Sequence, residues 1–284
     1  MHIKKPRRSP LRLRLLTFLI NYLQSENNEL RSIDIPAQDT AGKRLLRSLM
    51  NIRPPKPVAK EFLAVQDAYL QEECTEKGVI SLSDIPLVQP GIYLWQGDIT
   101  RLSVDAIVNA ANSAMSGCFV PCHGCIDNAI HSAAGIELRL ECSRIMEKQK
   151  TEEPAGRAKI TKAYNLPCRY VLHTVGPIIR GAVTGKDQNL LSACYRSCLE
   201  LAAACQLKSI AFCCISTGEF HFPNEKAAEI AIQTVQDYQK KDQNSLEVVF
   251  NVFKDNDYKI YQQLLGSCAG TAFHRKSEKE NRTR

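Results

Sequence analysis

Apolar positions recur at helical spacing in three early stretches: Leu15, Leu16, Leu19, Tyr22 and Leu23; then Leu45, Leu46, Leu49 and Met50; then Phe62, Val65, Tyr69 and Leu70. Side chains three and four positions apart share one helix face, so the spacing predicts a helical extension of about three helices over 1–78. Pro54, Pro55 and Pro57 force a turn before the last of them. After Gly78 the texture changes to short β-branched runs alternating with longer amphipathic segments. The runs predict strands at Ile92 to Gln96, Ala106 to Asn109, Lys159 to Asn165, Tyr170 to Thr174, Ile210 to Ile215 and Val248 to Phe253. Helices are predicted at Ile126 to Ala134, Ile136 to Lys148, Asn189 to Ala204, Asn224 to Tyr238 and Asp255 to Leu265. Such alternation points to an α/β fold over 79–268, a mixed sheet with helices on both faces. Ligands of such sheets sit outside the carboxyl ends of strands, which directs attention to the loops beginning at Gly97, Ala110 and Ser216.

Composition adjusts this picture only at the ends. No apolar run reaches the roughly 20 residues needed to cross a bilayer; the best, Leu11 to Leu23, is broken by Arg12, Arg14, Thr17 and Asn21. No membrane partner is expected. The twelve cysteines fall mostly inside apolar periodic segments, among them Cys194, Cys198 and Cys205 on one helix and Cys213 with Cys214 in one strand. They read as small buried hydrophobes in a reducing, cytoplasmic setting rather than as a disulfide framework. The formal charge of +7 is concentrated at the termini: Lys4, Lys5, Arg7, Arg8, Arg12 and Arg14 all precede the first acid, Glu26, and the stretch from His274 to Arg284 is basic again. Both ends read as solvated and mobile, 269–284 as a flexible tail, so nucleic acid is not an expected partner and a monomer is. The Arg-rich, acid-poor start also has the look of a mitochondrial transit peptide, which leaves a mitochondrial location as the alternative.

The chemistry is concentrated between Gly117 and Asn128. Cys118, His123 and Cys125 are spaced to hold one zinc ion with a coordination position left open, the arrangement of a reactive metal. Such a metal lowers the pKa of bound water or polarises a sugar hydroxyl, and Asp127 is close enough in sequence to orient either. Cys122 leaves two other arrangements open: as a fourth ligand it would close the site and make it structural, and with no metal the four residues would be merely buried or solvated. His131, four residues after Asp127, reads as a hydrogen-bonded packing histidine.

Two further loops have the residues of a nucleotide site. In Gly97-Asp98-Ile99-Thr100 the Asp can accept from an exocyclic amine while a backbone N–H reaches a ring nitrogen. From Ser216 through Thr217, Gly218, Glu219 and Phe220 to Pro223, successive N–H groups near a helix start can make an anion cradle suited to a diphosphate. There the Glu219 carboxylate is expected to point to solvent, and Phe220 and Phe222 to flank a ring or pack in the core.

The stretches Gly97-Asp98-Ile99-Thr100, Val108-Asn109-Ala110-Ala111-Asn112, Ile130-His131-Ser132-Ala133-Ala134-Gly135, Leu172-His173-Thr174-Val175-Gly176-Pro177 and Ile215-Ser216-Thr217-Gly218, in this order, make the segment from about Ile92 to Leu265 resemble the macrodomain, the module that binds ADP-ribose. With Cys118 to Cys125 where hydrolytic members usually have a run of glycines, the chain looks like the zinc-dependent branch, which also has an N-terminal helical extension. The resemblance implies a three-layer α/β/α sandwich and a zinc-dependent hydrolase releasing mono-ADP-ribose from modified proteins, with an ester on Asp or Glu as the expected linkage. It implies that Asp98 and Ile99 read the adenine, that Asn112 contacts the distal ribose, and that Cys118, His123 and Cys125 hold Zn2+ beside it. Ile126 and Asp127 would contact the ligand, Asp127 and Asn112 would be catalytic, and Ser216, Thr217, Gly218, Glu219 and Phe220 would wrap the diphosphate. Glu219 and His221 depart from the wider family's Val-Phe-Gly pattern, and His221 puts a side chain where a positive φ is wanted. A non-catalytic reader of ADP-ribose and a deacetylase of O-acetyl-ADP-ribose are the alternatives that the same pocket allows.

Overall fold

In the computed structural model, which describes residues 10–241 and 246–266, the chain opens with helices α1 (Pro10–Ser25), α2 (Asp39–Ile52) and α3 (Lys60–Lys77). Their apolar stripes meet in a cluster of their own, with Leu19, Ile20 and Phe62 fully buried and Ile136 of the following domain joining it. Burying each such side chain is worth roughly 1.5–3 kcal/mol. The helix α2 ends two residues before Pro54, as the restricted conformations ahead of a proline require. The expectation of a solvated basic end fails at Arg12. That residue is buried and its guanidinium sits between Glu73 and Glu76 of α3, so the chain is already part of the fold there. Lys4, Lys5, Arg7 and Arg8, and the tail over 269–284, lie outside the described residues.

The strands are β1 (Ile80–Ser81), β2 (Leu87–Gln89), β3 (Ile92–Gln96), β4 (Leu102–Ser103), β5 (Ala106–Ala110), β6 (Ala158–Lys162), β7 (Tyr170–Thr174), β8 (Ser209–Phe212) and β9 (Glu247–Val252). Seven of them form one sheet in the order β2-β3-β9-β8-β5-β7-β6; the other two, β1 and β4, pair separately. The five central strands are parallel, whereas β2 and β6 run antiparallel at the edges. The central strands are apolar nearly throughout, as strands covered on both faces must be. The helices are α4 (Ile126–Ala134), α5 (Ile136–Gln149), α6 (Gly185–Ala204), α7 (Asn224–Lys241) and α8 (255–266). From β5 the chain passes through α4, α5 and β6 to β7 in one direction along the sheet, then returns through α6 to β8 and α7 to β9 in the other. Right-handed connections running opposite ways place the two helix pairs on opposite faces, which gives three α/β/α layers. The reversal between β5 and β8 opens a crevice at their carboxyl ends.

Differences from the predicted elements are local. Strand β8 stops at Phe212, so Cys213 and Cys214 belong to the following loop. The edge strand β6 ends at Lys162, where Ala163 begins the turn that returns to Arg169. Helix α6 starts earlier than its apolar stripe because Thr184 and Asp187 form a reciprocal capping box. Cys194 and Cys198 are buried as expected, but Cys205, at the end of α6, is exposed.

Candidate active site

The loop from β5 to α4 brings Cys118, His123 and Cys125 together, with their ligating atoms all within 4.8 Å of one another. A tetrahedral zinc with sulfur at about 2.3 Å and nitrogen at about 2.0–2.1 Å sets sulfur and nitrogen about 3.6 Å apart; Cys118 Sγ and His123 Nδ1 are separated by 3.6 Å. Two sulfurs and an imidazole are also the donors that zinc prefers. The residues therefore fit the ion. Cys122 is not in this set: in a left-handed conformation at φ 53°, it turns its thiol onto α2, 3.2 Å from Ser48 Oγ and 3.3 Å from the carbonyl of Arg44. Cys125 is the N-cap of α4, its sulfur accepting from the Asn128 N–H at 3.4 Å. Burial pushes its thiol up to about 12, and neighbouring Cys118 adds to this, against the pull of that N–H. A coordinated cation would reverse the shift. Gly117, at φ 75°, is needed for close approach as well as conformation, since a Cβ there would stand 2.9 Å from the His131 ring.

Directly behind this loop Asp127 is buried in the first turn of α4. Its Oδ1 accepts from Asn109 Nδ2 at 2.8 Å and its Oδ2 from Asn112 Nδ2 at 3.3 Å. Burial raises the carboxyl pKa to about 6, opposed by the Asn109 bond and the charge of Arg139. Asn112 Nδ2 also donates to the Gly117 carbonyl at 3.0 Å, which leaves Asn112 Oδ1 buried without a partner among the described residues. His131 is buried against Asp127 with Nε2 3.5 Å from Oδ1, too long for a hydrogen bond, so the expectation of a hydrogen-bonded ring is corrected to packing alone.

Sequence reasoning gave no role to Asn109 or His173, yet they form the support of Asp127. Asn109 Nδ2 lies 3.2 Å from His173 Nδ1, and His173 Nε2 lies 2.9 Å from Thr161 Oγ1. A donating amide at Nδ1 assigns the ring proton to Nε2, where the Thr161 oxygen accepts it. The available signal was the polar Asn109 inside the apolar run Ala106–Ala110, on a strand whose other inner positions are hydrophobic. Burial pushes the His173 pKa down from 6.5 to about 3. Below about pH 6.5 the unfolded chain therefore binds a proton that the native ring refuses, and this part of the stability is lost as pH falls towards about 3. From pH 6.5 to 5 the loss is about 2 kcal/mol. Denaturant unfolding at the two pH values should show a correspondingly smaller difference for His173→Gln; equal differences would refute the assignment.

Across the crevice lies the loop after β8, the predicted anion cradle. Ser216 and His221 both adopt positive φ, 65° and 56°, the latter as the sequence pattern required. Phe222 N–H bonds the Ser216 carbonyl and closes the loop, while the N–H groups of Gly218, Glu219 and Phe220 meet no acceptor among the described residues. Three such free donors in sequence suit an anion. Gly176 makes room for this loop, because a Cβ there would fall 2.0 Å from Ser216 Oγ. Phe222 is core and Phe220 is half-buried. Glu219 is largely exposed, as expected, and its carboxylate also lies 3.5 Å from His123 Nε2, so the two loops meet.

The Macro domain family matches residues 108–231, which include both loops. A protein of Treponema medium named Protein-ADP-ribose hydrolase is 55% identical over 252 residues, covering 87% of this chain and 97% of that protein. The chain belongs to the macrodomain family. Among solved structures, the Oceanobacillus iheyensis macrodomain with ADP is similar at TM-score 0.59 and 36% identity, covering 66% of this chain and 96% of that one. The Trypanosoma brucei macrodomain in complex with ADP-ribose, at TM-score 0.59 and 29% identity, covers 92% and 97%.

Ile126, the first residue of α4, adjoins Cys125, whereas two other predicted site residues of this macrodomain stand at the other end of the crevice. Asp98 and Ile99 follow β3, three strand spacings from β5, or about 14 Å at about 4.8 Å each. Asp98 Oδ1 caps the turn Ile99–Arg101 by accepting from the Thr100 N–H and hydroxyl, and Oδ2 lies 3.4 Å from Lys77 Nζ of α3. The structure thus joins the Cys118–Cys125 loop, Asp127, Asn112 and the Ser216–Phe220 loop, and sets Asp98 and Ile99 three strands away.

Proposed function

We propose that this macrodomain is a zinc-dependent hydrolase that releases mono-ADP-ribose from modified proteins, cutting the bond between the anomeric carbon and an Asp or Glu carboxylate. The observation that carries this reading is the 3.5 Å approach of His123 to Glu219, which puts the thiol–imidazole set and the anion cradle on one cleft with Asp127 behind it. The Treponema medium protein named Protein-ADP-ribose hydrolase supports the hydrolysis, and the Trypanosoma brucei macrodomain in complex with ADP-ribose supports the ligand.

Each residue has a part that its surroundings dictate. The free N–H groups after Ser216 bind the diphosphate, and that remote binding energy fixes the sugar at the far end of the crevice. Asn112 Oδ1, buried and unpartnered, accepts from a ribose hydroxyl. Cys118, His123 and Cys125 would hold zinc, which when bound supplies a Lewis acid. Asp127, held by Asn109 and Asn112, takes the proton of the attacking water on its carboxylate. Water oxygen bonds to the anomeric carbon as the acceptor carboxylate leaves, giving ADP-ribose and the restored side chain. Loss of label from a protein mono-ADP-ribosylated on Glu, followed in time, should cease with chelator and return with added zinc. Tight binding of ADP-ribose with no loss of label would make the domain a reader and overturn the proposal.

A further inference from the structure

We infer that the helical extension is a working part of the metal site: α2 holds the Cys118–Cys125 loop in its ligating shape, with Arg47 as the positioning residue. This rests on the zinc reading above. Arg47 reaches across from α2 and donates through Nε and Nη2 to Asn128 Oδ1, at 3.0 and 2.6 Å, and through Nη2 to the carbonyl of His123 at 3.0 Å. Asn128 is fully buried and passes the constraint on twice more. Its N–H bonds Cys125 Sγ and its Nδ2 donates to the Val120 carbonyl at 2.9 Å. One turn later on α2, Asn51 Oδ1 accepts the Cys122 N–H at 2.9 Å, while its Nδ2 donates to Ser132 Oγ on α4.

The clamp is closed from the other side. Arg139 of α5 donates to the carbonyls of Met50, Asn51 and Arg53, the free end of α2, and through its second nitrogen to the Cys118 carbonyl. It also lies 4.2 Å over the ring of Phe119. Cys118, Phe119, Val120, Cys122, His123 and Cys125 are therefore each tied, directly or through one residue, to α2. Within the loop the His123 N–H bonds the Val120 carbonyl at 3.2 Å, and the ties to α2 add to that turn the constraint that makes two sulfurs and a ring nitrogen converge. Partners behind metal ligands typically change affinity about 10- to 100-fold, and a lysine cannot reproduce the two-pronged contact of a guanidinium.

The test uses the full chain. Arg47→Ala and Arg47→Lys should weaken zinc binding about 10- to 100-fold in competition with a chromophoric chelator, and should alter the thiolate-to-metal absorption of the cobalt-substituted protein. Arg31→Ala, which breaks the bond from Arg31 Nη2 to the Ser25 carbonyl inside the extension, should leave both unchanged. Amide exchange over 118–125 in metal-free protein should speed up in Arg47→Ala but not in Arg31→Ala. Asn51→Leu, which removes the acceptor of the Cys122 N–H, repeats the comparison should Arg47→Ala fail to fold. Unchanged zinc affinity and exchange in the Arg47 variants, or equal losses in Arg31→Ala, would overturn the clamp. A wild-type chain that takes up no zinc yet shows the exchange difference would instead overturn the metal reading alone.

Discussion

On the proposed function, Cys118→Ala and His123→Ala are each expected to lose bound zinc and to release ADP-ribose at least ~100-fold more slowly than the unaltered chain, because the Lewis acid they would hold is worth several kcal/mol. Binding of ADP-ribose itself should persist, since the cradle and the Asp98 turn contain neither residue. Metal content by mass spectrometry, release kinetics and calorimetry on the same preparations separate these effects. The informative contrast is Cys122→Ser. Serine can keep the contacts to Ser48 and Arg44 that the thiol makes, so this variant should retain zinc. Loss of zinc in Cys122→Ser, or full turnover in zinc-free Cys118→Ala, would reverse the roles assigned to these cysteines.

Why the Cys118–Cys125 cluster could be located from sequence and its support could not is a matter of range. Cys118, His123, Cys125 and Asp127 are neighbours along the chain, so residue type and spacing alone bring their chemistry together. The same holds for Ser216 to Phe220, where a run of small residues before Pro223 announces free N–H groups. Arg47 and Asn128 are 81 positions apart, and Asn109 and His173 are 64 apart. Nothing in the periodicity of α2 distinguishes Arg47 from any solvated arginine. Strand cores were legible because five parallel strands buried on both faces are nearly continuous apolar runs. The edge strand β2, three residues long, has too few positions to show a pattern. Glu219 shows the limit for direction: the sequence located it on the cradle, and only the approach of the two loops turned its carboxylate towards His123.

That approach makes the cleft one site, but it leaves the chemistry resting on a carboxylate that is nearly out of reach of solvent. A buried acid of pKa near 6 is useful only if its oxygens are aimed, and two amides do the aiming: Asn109 on Oδ1 and Asn112 on Oδ2. Asp127→Asn keeps the shape and removes the base, so kcat is expected to fall about 10²- to 10⁴-fold with KM little changed. Asn109→Ala keeps the charge and frees the carboxylate to turn, which should cost less, about 10- to 100-fold, and should shift the acid limb of the pH–rate profile upward because a bond that favours the ionised form is gone. The double variant tests whether the amide acts through the acid. If it does, Asn109→Ala adds almost nothing in the Asp127→Asn background; if the two losses multiply, Asn109 acts on the reaction by another route and the support drawn from Thr161 through His173 to Asp127 is not what sets the rate.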